Sequence, residues 1–173
     1  MKVLNIFIAL LLVSFITYGQ APSIEWQKCL GGSLQDESYC IQQTNDGGFI
    51  AVGFSLSNNN DVSGNHDTTG NYWDCWVIKL DSAGLLQWQK CLGNSFYDEA
   101  FSVIQNSNGE YVIAESTLSN DGDVTNFHGN KDVWIIKLDS SGNLIWQKCL
   151  GGSLNDEVRS IIQSSHQLLA FQI

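Results

Sequence analysis

The chain has 173 residues, of which 43% are hydrophobic and only 15% charged, so it holds enough apolar material for one packed domain. Eight Lys and Arg against 18 Asp and Glu give a formal net charge of −10. That balance excludes the basic footprint of a nucleic-acid binder and disfavours anionic membrane surfaces.

The N-terminus reads as an export signal. Lys2 forms a short positive region, and residues 3–16 are apolar apart from Asn5 and Ser14. Thr17-Tyr18-Gly19 then places small residues three and one positions before Gln20, the pattern of a secretory signal peptide over residues 1–19. The apolar run is shorter than the ~20 residues a spanning helix needs. No cysteine follows it closely, since the first is Cys29, which argues against a lipid anchor. The expectation is a secreted or cell-surface protein with no membrane span after cleavage.

Residues 20–173 are read as one β-repeat domain. The string WQKCLG begins at Trp26, Trp88 and Trp146, with spacings of 62 and 58 residues. The repeats are therefore 26–87, 88–145 and a partial 146–173. Four extra residues between His66 and Asp74 lengthen the first. Each full repeat carries four strand-like segments bounded by turn residues: 39–43, 49–54, 75–80 and 86–92 in the first, with counterparts 101–105, 111–116, 133–138 and 144–150 in the second. After Ser165 the expected turn and strand give way to HQLLAFQI.

An all-β fold of four-stranded antiparallel repeats follows, read as a partial β-propeller of about two blades and a stub. A β-solenoid is the rival, but its repeats are usually shorter. A blade cannot bury both faces alone. The expectation is therefore a fragment of a longer protein, or self-association through open blade edges.

The hairpins Asp81-Ser82-Ala83-Gly84 and Asp139-Ser140-Ser141-Gly142 suggest a cross-strand register. Pairing Asp81 with Leu85 sets Ile78 opposite Trp88, Trp76 opposite Lys90 and Cys75 opposite Cys91. In the second hairpin it sets Ile136 opposite Trp146, Trp134 opposite Lys148 and Val133 opposite Cys149. Two alternatives then stand for Cys75 and Cys91: a cross-strand disulfide, or two small buried thiols. Cys29, Cys91 and Cys149 recur one repeat apart, too distant to bond one another.

The repeat WQKCLGGSxxDE, followed by an NDGGFIAVGFS-type strand, an Asn/Asp/Gly-rich loop and DxWVIKLDSSGNLIWQ, resembles the ~60-residue repeats of large secreted Bacteroidetes proteins. The resemblance covers residues 24–165. It implies a propeller-like fold and an extracellular or cell-surface destination, often reached by type IX secretion. It implies no established activity.

No catalytic constellation emerges. The pairs Asp36-Glu37, Asp98-Glu99 and Asp156-Glu157 recur in every repeat, which favours structure over a single catalytic site. Asp61, Asp121 and Asp123 lie in Asn/Asp/Gly loops that offer oxygen ligands to calcium. The same residues build turns with no ion, and the terminal Glu of a full calcium loop is missing. His66 and His128 hold equivalent loop positions. Tyr72 and Trp73, in the inserted segment, are freer than the repeated Trp76 and Trp134 to stack on a sugar.

The leading expectation is a secreted non-enzymatic repeat module, a scaffold or adhesion surface that meets a glycan or a surface protein. One alternative is the binding portion of a larger secreted glycan-active protein. The other is a truncated, non-functional reading frame.

Overall fold

A computed structural model of the chain describes residues 21–163 and 169–172. The predicted signal peptide, residues 1–19, lies outside the described residues, as does His166. All regular structure among the described residues is β. The first sheet holds β1 (Asp36–Gln43), β2 (Phe49–Ser55), β3 (Asp74–Leu80) and β4 (Leu86–Leu92) in the order β1-β2-β3-β4. The second holds β5 (Asp98–Gln105), β6 (Tyr111–Thr117), β7 (Asp132–Leu138) and β8 (Leu144–Leu150) in the same meander. A third unit contributes the hairpin of β9 (Ser160–Gln163) and β10 (Leu169–Gln172). All pairings within these sheets are antiparallel.

Local chemistry sets the turns. Asp81 Oδ1 accepts from the N–H groups of Ala83 (2.9 Å) and Leu85 (2.8 Å), and Asp139 repeats this with Ser141 and Asn143. Gly84 and Gly142 then adopt φ of 75° and 80°, a region L side chains avoid. The turns are those expected, but the register beyond them is not. Gln87 in β4 is an extra bulge residue: Leu80 pairs with Leu86 and Lys79 with Trp88. Ile145 does the same in β8.

Each bulge slips the predicted register by one residue. Ile78 faces Gln89 rather than Trp88, and Ile136 faces Gln147 rather than Trp146. Cys75 faces Leu92, Trp76 faces Cys91, and Val133 faces Leu150. Because side chains alternate across a sheet, Cys75 and Cys91 fall on opposite faces and belong to different core clusters. Both are free thiols, which corrects the disulfide expectation. The slip also moves the lysines away from the indoles. Trp76 Nε1 donates to Gln89 Oε1 (2.9 Å), and Trp134 Nε1 to Gln147 Oε1 (2.5 Å).

The sheets stack face to face. One face of the first, with Ile50, Val52, Cys75, Val77 and Leu92, packs on a face of the second that carries Val103, Tyr111, Ile113, Trp134, Ile136 and Leu138. The opposite face of the second, with Ile104, Val112, Ala114, Val133 and Ile135, packs on Val158 and Ile161 of the third unit. The outer face of the first, with Ala51, Trp76, Ile78, Leu80 and Cys91, is covered by Trp26 and Leu30. The WQKCL string is the fourth strand of a sheet, so the repeat starts at Trp88 and Trp146 fall inside β4 and β8.

Candidate functional site

Most repeated polar groups close on the fold itself. Asp36 accepts from the Gly32 N–H (2.7 Å) and the Ser57 hydroxyl (2.9 Å), and also from the Ser55 hydroxyl. Asp98 accepts from Asn94 N–H (3.0 Å), Ser119 Oγ (2.8 Å) and Thr117 Oγ1 (2.5 Å). Asp156 accepts from Gly152 N–H (2.7 Å). Asp36 and Asp98 thus tie the turn after WQKCL to the first and second strands of the next unit, and Asp156 holds the corresponding turn in the third. Glu157 of the third pair bonds Lys131 (2.8 Å) and Arg159 (3.0 Å).

The two histidines are held alike. Asp74 Oδ2 meets both the backbone N–H (2.9 Å) and Nδ1 (2.6 Å) of His66. Asp132 Oδ2 meets the same atoms of His128 at 2.8 and 2.9 Å. Such pairs fix an imidazole, as a catalytic triad does. No Ser, Thr or Cys side chain hydrogen-bonds either ring among the described residues, and the pairs serve to anchor the long loops.

Of the loop carboxylates named as calcium ligands, Asp61 and Asp121 are engaged, and Asp123 is held through its backbone. Asp61 Oδ2 accepts from Gly31 N–H (3.2 Å), and Asp121 accepts from Ser95 N–H (3.3 Å) and Ser95 Oγ (2.5 Å). The Asp123 backbone N–H bonds the Gly93 carbonyl (3.4 Å). Among the described residues no three His, Cys, Asp or Glu side chains converge on one cation position.

A feature without a repeated counterpart lies between the sheets. Glu115 on β6 is fully buried, and neither carboxylate oxygen meets hydrogen-bond geometry. Its counterpart in the first repeat is Gly53. Burial first, and then the Asp98 and Asp74 charges, hold its carboxyl well above the ordinary range. Burial likewise raises Asp98 to about 7 and Asp74 to about 6. Cys75, facing this group from β3, is pushed far up by burial and by Glu115, so its thiol is unreactive.

The most distinctive surface is aromatic. Asp67 organises the inserted segment: it accepts from Thr69 N–H (2.8 Å) and Oγ1 (2.6 Å), Asn71 N–H (2.7 Å) and Tyr72 N–H (2.8 Å). This turn lays Tyr72 edge-on against Phe96 (5.3 Å) and Tyr97 (5.0 Å) at the start of the second unit. Trp73 packs on Tyr97 (4.2 Å) and Phe54 (4.8 Å), and its carbonyl accepts from the Asp98 N–H (2.9 Å). At the other sheet junction, Lys131 stands in place of Trp73 and bonds Glu157.

Bulges extend the ridge. Tyr39 in β1 and Phe101 in β5 are each an extra residue in their strand, which turns their rings off both sheet faces. They stack at 5.5 Å with an 8° interplanar angle, and Arg159 lies 4.8 Å over Phe101. Tyr39 also meets Phe54 (5.9 Å), so seven rings run in unbroken contact from Phe96 to Phe101. Two of the rings are open, Phe96 at one end (43% exposed) and Tyr39 beside the other (44%), while Phe101 lies under Arg159. Partial burial, then Glu99 and Glu37, hold the Tyr39 phenol above its ordinary range.

Of the ridge, the sequence had pointed only to Tyr72 and Trp73. The aromatic pair at Phe96-Tyr97, where the third repeat has Leu154-Asn155, was the available signal for the rest. No protein-family model and no curated protein matches the chain.

Proposed function

We propose that the chain is a secreted, non-enzymatic module of partial β-propeller type, a rigid scaffold whose aromatic ridge binds a neutral glycan. The observation that supports this most is the ridge itself, built at one sheet junction by an insertion and two bulges, with open rings at Phe96 and Tyr39. Sugar rings present flat C–H faces, which pack on aromatic faces, while their hydroxyls need acceptors. Glu37 and Glu99 supply acceptors beside Tyr39. The net charge of −10 favours a neutral ligand over an anionic one. Export is read from residues 1–19 and from the resemblance to secreted Bacteroidetes repeats.

The test is binding of the exported chain to immobilised neutral polysaccharides of cellulose, xylan and mannan type, followed by titration with oligosaccharides of the positive class. Tyr72→Ala and Phe96→Ala each remove one stacking face, worth about 1 kcal/mol, and weaken binding about fivefold. Unchanged affinity in both variants overturns the ridge as the contact. Absence of binding across the panel overturns the glycan class.

A further inference from the structure

The units of this chain meet through one kind of contact, made twice. The first strand of each unit presents one apolar residue to the unit before it: Val103 to the first sheet, Ile161 to the second. The next residue faces the other way, and Ile104 of the second sheet packs toward the third unit. The first sheet carries the same receiving face, with Ile41 at the position of Val103 and with Ala51, Trp76, Ile78 and Leu80 beside it.

Among the described residues, one strand's worth of chain, residues 26–30, and Val62 pack on that face. Residues 26–30 have the sequence WQKCL of β4 and β8, and Trp26 is seated as a fourth strand would seat it. A Cβ at Gly84 would lie 2.6 Å from the Trp26 ring, and one at Gly142 would lie 2.9 Å from the Trp88 ring. The place of the other strands of a preceding unit is an apolar groove beside Trp26 and Leu30, and Ile41 in it is 57% exposed. The complementary surface is on the third unit. Ile162, at the position of the buried Ile104, is 61% exposed.

We infer that a second copy of the chain fills this groove beside Trp26 and Leu30, its β9 packing Ile162 against Ile41. The occupant follows from the contact that the chain already makes with itself between consecutive units. The two surfaces differ, so the association is head-to-tail. It continues until a ring closes, or it forms a filament. It is independent of glycan binding.

Complementation tests this directly. The full chain, recovered after export, is measured by size-exclusion chromatography with light scattering over a wide concentration range, alongside Ile41→Glu and Ile162→Glu. Both residues are more than half exposed, so the substitutions spare the core, and the melting temperature of each variant checks this. Ile41→Ser and Ile162→Ser replace them if either Glu variant melts early. The wild-type chain is expected to assemble and each variant alone to be monomeric. An equimolar mixture of the two is expected to form a heterodimer through the one interface left intact. A wild-type chain that stays monomeric overturns the inference, as does a single variant that still assembles or a mixture that stays monomeric.

Discussion

Replacing Glu115 with Met is expected to stabilise the protein. Glu115 is fully buried between the sheets with both oxygens unpartnered. A buried polar group left unpaired costs about 1–3 kcal/mol, and replacing buried ionisable groups with apolar residues of like volume often gains about 1–4 kcal/mol. Met matches the length and flexibility of Glu and keeps the contact with Cys75. A gain of about 2 kcal/mol at pH 8 is expected, which raises Tm by about 6 °C for a chain of this size. The gain is also expected to depend on pH. The folded-state carboxyl sits well above its ordinary range, so the native state holds a proton that the unfolded chain releases as pH rises. Wild-type stability therefore falls with pH from this group, and the Met variant lacks that loss. Urea titrations of both proteins at pH 5 and pH 8 measure it. A variant less stable than wild type at pH 8, or a gain that shrinks as pH rises, refutes the reasoning.

Asp98 and Asp74, raised to about 7 and about 6 by burial, act in the same direction. Their contribution is fully present below about pH 4 and is lost as pH rises to about 7, so wild-type unfolding midpoints in urea should drop between pH 5 and pH 8. Asp98→Ala strands the Asn94 N–H and the Thr117 and Ser119 hydroxyls, and is expected to cost about 3 kcal/mol by urea denaturation. Asp36→Ala, at a partly exposed site, should cost less. Gly142→Ala forces a side chain into φ of 80° and against the Trp88 ring, and should lower stability by more than about 1 kcal/mol. An unchanged Tm in that variant would mean Trp88 is free to leave its seat.

The strands were legible because their apolar runs end in Asn, Asp and Gly. Leu86–Leu92 and Leu144–Leu150 match the expected bounds. The first strands run three residues earlier than expected, to Asp36 and Asp98, because their polar openings bond the preceding turn rather than fill a core. The bulges were not legible. Gln87 and Ile145 look like ordinary strand residues, so a count from the turn carried the error to Cys75 and Cys91. Tyr39 and Phe101 likewise read as ordinary strand residues, although each is the extra residue of a bulge and its ring joins the ridge. Glu115 carried a readable signal: aligning the repeats sets it against Gly53, the one position where the second strand gains a charge. What alignment does not supply is depth, since burial of that position comes from the neighbouring sheet.

The seating of Trp26 and Trp88 on the hairpin glycine of the following sheet bears on how such chains change length. Trp26 and Gly84 both fall within repeat 26–87, and Trp88 and Gly142 both fall within 88–145. The contact that joins neighbouring sheets is thus encoded inside one stretch of gene. Duplication or loss of a whole repeat by recombination carries both halves of the joint together. Sheet number is therefore free to drift in descent with these joints still matched.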